Sequence, residues 1–150
     1  MFSLTIEHPK YVRGSGFQGT PGKVLGSEWV EPMRRAVRTA TIESLLVEAE
    51  RIIEDAKSRT PIDTGALRST GRARRDGATI TMSFGGRATN GKIVRYAVYV
   101  HEITWYKHKI GGAKFLENAV NAARRGMDRR IANGVTTRLI QGGLGTGRSL

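Results

Sequence analysis

Residues 69–84 read Ser-Thr-Gly-Arg-Ala-Arg-Arg-Asp-Gly-Ala-Thr-Ile-Thr-Met-Ser-Phe, and this stretch decides the fold class. Ser69 to Arg75 and Ala78 to Phe84 are strand-like, and Asp76-Gly77 joins them. An Asp-Gly pair between alternating segments signals a tight hairpin, because both turn positions favour positive φ. Upstream the period changes. From Trp29 to Lys57, Met33, Val37, Ala40, Leu45, Ala49, Ile52 and Ala56 recur at helical spacing, and Val30, Leu46 and Ile53 widen the stripe. Ser27 is placed to cap this helix, with Glu28, Glu31 and Pro32 near its start. Arg59-Thr60-Pro61 stops it, since proline disfavours helical backbone at the residue before it. A long amphipathic helix followed by a hairpin makes the chain α+β.

Working outward, Phe2, Leu4 and Ile6 alternate with polar residues and predict a short strand. Gly14, Gly16, Gly19, Gly22 and Gly26 then crowd one segment, so residues 1–27 read as a flexible arm. Beyond the hairpin, Gly85-Gly86 and Asn90-Gly91 mark a loop. Ile93 to Ile103 sets Tyr96, Val98 and Val100 against Ala97 and Tyr99, which predicts a strand covered on both faces. Gly111-Gly112 break the chain. Phe115, Leu116, Ala119, Val120, Ala123, Met127 and Ile131 predict a last helix that stops at Asn133-Gly134. The expected layout is one domain over 28–132, with the long helix and the last helix packed on a small antiparallel sheet, and a tail over 133–150.

Composition narrows the chemistry. The 150 residues include no cysteine, which excludes disulfides, thiolate metal sites and cysteine nucleophiles. No apolar run approaches the roughly 20 residues of a membrane helix, and the start lacks a basic segment followed by an apolar one. The expectation is a soluble chain, cytoplasmic at synthesis and without membrane contact. The net charge is +12, and it is segregated: +2 over residues 1–27, −2 over 28–63 and +12 over 64–150. Such a field attracts polyanions or acidic protein surfaces.

The motifs that resemble catalytic signatures lack the context their chemistry needs. Gly14-Ser-Gly-Phe-Gln-Gly19 spells a dinucleotide fingerprint, but Thr20-Pro21-Gly22 follows where a helix should open. Gly86-Arg-Ala-Thr-Asn-Gly91-Lys92 imitates a phosphate loop, but Ile93 stands where a hydroxyl should hold magnesium. Pro61-Ile62-Asp63 could open a nuclease signature, yet neither Asp76 nor Glu102 is followed two places on by lysine. His101 and His108 are seven apart rather than four, so the helical zinc pattern is absent. The reading is therefore no catalytic, cofactor or metal residue. Two basic runs remain, Arg72, Arg74 and Arg75 on the hairpin and Arg124, Arg125, Arg129 and Arg130 on the last helix. Each is either solvated charge or a contact with nucleic acid or an acidic partner. Tyr99, His101, Trp105 and Tyr106 read as a subunit interface, with Lys107, His108 and Lys109 alongside; base stacking is the other use of such a set.

Thr60-Pro-Ile-Asp-Thr-Gly-Ala-Leu-Arg-Ser69 follows the long helix. Tyr96-Ala-Val-Tyr-Val-His-Glu102 later leads to His108-Lys-Ile-Gly-Gly-Ala-Lys-Phe-Leu-Glu117. In this order the motifs resemble, over about residues 28–132, the tail-completion or head–tail joining proteins of long-tailed double-stranded DNA phages. The resemblance implies a non-enzymatic virion protein of the neck, in the host cytoplasm before assembly. It further implies a homo-oligomeric six-fold or twelve-fold ring around the DNA path, between the head connector or adaptor and the tail terminator or tail tube. Pro61, Asp63, Thr64, Gly65 and Leu67 then form a structural turn: Pro61 ends the helix, Asp63 and Thr64 bond nearby amides, Gly65 supplies free φ and Leu67 tucks under the sheet. The reading from charge alone is a nonspecific basic DNA-binding module.

Overall fold

A computed structural model of the chain describes residues 2–7, 27–62, 65–105 and 110–142. In chain order its elements are β1 (Phe2–Glu7), α1 (Ser27–Arg59), α2 (Ala66–Ser69), β2 (Arg72–Asp76), β3 (Thr79–Phe84), β4 (Gly86–Arg87), β5 (Ile93–Val94), α3 (Ala97–Glu102), α4 (Phe115–Ala123) and α5 (Met127–Gln141). The class is α+β, as the sequence predicts. The hairpin forms where Asp76-Gly77 places it, with Gly77 at φ 58°. β1 pairs antiparallel with the other edge of β3, Phe2 opposite Phe84 and Ile6 opposite Ile80, so the sheet order is β1-β3-β2. β4 and β5 pair separately as a small second hairpin.

β3 alternates as its sequence demands. Ile80, Met82 and Phe84 are buried against the helices, and Thr79, Thr81 and Ser83 take the other face. The core joins this face to Ala49, Ile52, Ile53 and Ala56 of α1 and to Phe115, Leu116 and Ala119 of α4. Phe84 and Phe115 meet edge to face, with ring centroids 4.9 Å apart. Such an aromatic pair contributes roughly 0.5–1.5 kcal/mol beyond the area it buries.

α1 is tied off by its neighbours. Thr60 Oγ1 donates to the Ala56 carbonyl at 2.7 Å, Arg68 Nη2 reaches the carbonyls of Ser58 and Thr60 at 3.3 Å, and Gly112 N–H donates to Arg59 O at 3.1 Å. These bonds satisfy carbonyls that a helix end leaves open. The turn motif does part of what its sequence predicts: Pro61 and Leu67 are buried and Gly65 sits at φ 73°. Asp63 and Thr64 lie outside the described residues. So do residues 8–26 of the arm, together with Tyr106 and the tail from 143 onward.

Four expectations are corrected. Ser69 is not the start of a strand, because Ala66–Ser69 closes one helical turn first, with Ser69 N–H bonding Gly65 O. Tyr96 to Val100 is not a central strand. Only Ile93–Val94 pairs, and Ala97–Glu102 is helix, burying Ala97 and His101 while Val98 and Tyr99 face out. The last helix is two helices, broken at Gly126 with φ 71°. Finally, Asn133-Gly134 does not stop it. α5 runs on to Gln141, and Gly134 sits inside it close against α1: a Cβ there would lie 2.8 Å from Ser44 Oγ. The glycine is a packing device and not a cap.

Candidate functional site

α4 and α5 return along α1, antiparallel to it, through ion pairs that fix their height. Glu48 is buried, and Arg130 grips it with Nε at 3.0 Å and Nη2 at 2.5 Å. The same guanidinium bonds the carbonyls of Ala123 and Arg125, spanning the elbow between α4 and α5. Glu48 holds the Arg130 charge in place and raises its pKa further. One helical stretch on, Arg138 reaches Glu43 and Ser44. Arg130, one of the four cations expected on this helix, is therefore structural.

The other three stand free. Arg124, Arg125 and Arg129 are exposed at the elbow, and none has a side-chain hydrogen bond or ion pair among the described residues. Beside them an open groove of about 320 Å³ between α1 and α4 is lined by Arg51, Ile52, Asp55, Arg59, Ala122 and Ala123. Arg59 pairs with Asp55 and Arg51 with Glu48, so these two are partly neutralised. The hairpin cations lie in the other layer. Arg74 and Arg75 are exposed, Arg75 bonding Gly77 O, while Arg72 is half buried with no partner for its Nε. The two predicted basic runs are thus not brought together. Arg72 and Arg74 share the sheet face of Thr81 and Ser83, Arg75 stands opposite Ile80 at the hairpin end, and the second run sits at the helical elbow.

The residues expected at an interface divide in the same way. Tyr99 is 68% exposed and Trp105 81%. His101 is only 4% exposed, a correction to its placement at an interface: it packs on Phe115 at 5.0 Å and its Nδ1 meets Glu102 Oε1 at 2.7 Å. Glu102 also receives Lys114 Nζ at 2.5 Å, and Lys114 reaches Glu117. Lys114, and then His101, lower the pKa of Glu102; Glu102 in turn raises that of Lys114. Lys114 itself holds φ 55°, uncommon for a non-glycine residue, with its N–H on the His101 carbonyl. This cluster staples α3 to the start of α4.

Sequence reasoning missed a second apolar surface. Val30, Met33 and Val37 remain 40–55% exposed on one side of α1, beyond the part that α5 covers. They belong to the stripe assigned to the core; the signal was the helix length, since 33 residues outrun the 15 of α5. Among the described residues no group of three or more His, Asp or Glu side chains is placed to hold a metal ion. No described helix is long and apolar enough to cross a membrane. Comparison with known proteins finds no match: none among protein-family models, curated proteins or solved structures.

Proposed function

We propose that the chain is a structural subunit of a phage neck, a ring-forming head–tail connector or tail-completion protein, and not an enzyme. The observation that carries this reading is the pair of separated apolar faces. One lies at residues 30–37 of α1. The other surrounds α3, which is stapled to the start of α4 beside the C-terminal end of α1. Val37 and Arg59 are 22 residues apart on one helix, about 33 Å at 1.5 Å per residue. A two-fold dimer uses one patch against itself and would leave the other open. A subunit that must touch both a lateral neighbour and an adjoining ring needs two. The motif order over residues 28–132 adds the neck assignment, and the free cations at the elbow suit a wall that faces DNA.

Inactivating this gene in the phage that carries it tests the reading. DNA-filled heads and free tails should accumulate unjoined, and the intact chain supplied in trans should restore joining. Normal virions from the inactivated phage would overturn it. A nonspecific DNA-binding module is the second reading, favoured by the same elbow cations; it predicts joining without the chain.

A further inference from the structure

We propose that the outward face of α3 docks a different protein, one whose own contact surface is apolar at its centre and acidic at its rim. α3 turns the usual pattern outside in. Ala97 and His101 fill the buried side, and Tyr96, Val98 and Tyr99 face solvent, followed closely by Trp105. Exposed aromatic and aliphatic side chains gathered in one short segment mark a protein contact, because tyrosine and tryptophan bring large apolar area at little entropic cost.

The rim identifies the partner's charge. Arg87 and Lys92 on the β4–β5 hairpin and Arg95 before α3 are exposed, with no side-chain hydrogen bond or ion pair among the described residues. Glu102, the carboxylate on this helix, is already held by Lys114 and His101. Uncompensated positive charge therefore stands on the segment that leads directly into the apolar face. A second copy of the chain does not suit it. The other apolar face carries Arg34, Arg35 and Arg38 against Glu28 and Glu31, still net positive, so a copy offering either face brings like charge to like. Duplex DNA offers acidic groups but no apolar centre for Tyr99 and Trp105. The inference goes beyond the neck reading and does not depend on it.

The probes are two dye-labelled helical peptides, one with leucine on one face and glutamate on the other, the second with lysine replacing every glutamate. A short DNA duplex is the third. Fluorescence anisotropy with the full chain should show the glutamate peptide binding at least tenfold tighter than the lysine peptide. Tyr99→Ser with Trp105→Ser should lose at least tenfold without a change in melting temperature. Changing Arg124, Arg125 and Arg129 to Ala should leave peptide binding unchanged. Should the double serine variant melt lower, Arg87→Glu with Lys92→Glu and Arg95→Glu carries the test, and it should reverse the peptide preference. Equal binding of the two peptides, no binding of the glutamate peptide, duplex binding that depends on Tyr99 and Trp105, or loss of self-assembly in the serine variant would each overturn the proposal.

Discussion

Arg130→Met tests how the helical layer is held together. In the folded chain Arg130 makes paired contacts to Glu48, whose side chain is only 7% exposed, and bonds two carbonyls at the elbow. Methionine fills similar space but leaves that carboxylate with Arg51 Nη1 alone, at 3.2 Å. Breaking a buried pair from one side costs about 3–5 kcal/mol. Arg51 remains, and Arg130 is one-third exposed, so the low end applies, about 3 kcal/mol. The two elbow carbonyls rehydrate and add little. For a chain of this size each kcal/mol moves the melting temperature by about 2–4 °C, so the expected loss is about 6–12 °C. The assay is thermal unfolding followed by circular dichroism at neutral pH. The double variant Glu48→Leu with Arg130→Met removes both charges together, and should return to within about 1 kcal/mol of wild type. Arg130→Met melting within about 2 °C of wild type, or a double variant as unstable as the sum of the singles, would refute the reasoning.

Gly134→Ala should lower the melting temperature although alanine favours helix by about 1 kcal/mol, because its Cβ would press on Ser44 at 2.8 Å; the loss should shrink in a Ser44→Ala background. Glu102→Gln should melt below wild type at neutral pH, and the gap should close in acid. The Glu102 pKa is lowered in the folded chain, so its stabilisation is complete above the ordinary value of 4.5 and disappears as pH falls through the folded value. Lys114, whose pKa is raised, loses its share only as pH climbs past 10.5, which leaves a plateau between. Replacing Arg124, Arg125 and Arg129 with Ala should leave the melting temperature unchanged. It should also lower the salt slope of duplex binding by about one for each phosphate that is no longer neutralised; an unchanged slope returns the elbow to ordinary solvated surface.

What could be read from the sequence followed from local signals that agreed with the packing. α1 has a long 3.6-residue stripe and a proline after it, and the hairpin has Asp-Gly between alternating strands; both form where they were expected. Tyr96 to Val100 misled because tyrosine and valine favour strands. The opposing signal was present in the small Ala97 and the histidine at 101, four apart and buried on one side of a helical turn. Gly134 misled because glycine commonly ends helices, and its role depends on Ser44, ninety residues away in sequence. Of the site, the exposure of Arg124, Arg125 and Arg129 follows from their residue type, whereas Tyr99 and Trp105 are exposed against theirs. That His101 is buried, that Arg130 is bound to Glu48 and that α1 carries a bare apolar end all depend on long-range packing, which no local pattern records.

The central claim is that this chain assembles with copies of itself into a ring and keeps the α3 face for a different neighbour. The most direct measurement is a particle image of the purified full-length protein, with native mass spectrometry on the same sample. The account predicts rings with a central channel, with a mass six or twelve times the 16.4 kDa of one chain. A particle that stays monomeric or dimeric at every concentration tried, while binding duplex DNA tightly, would contradict it.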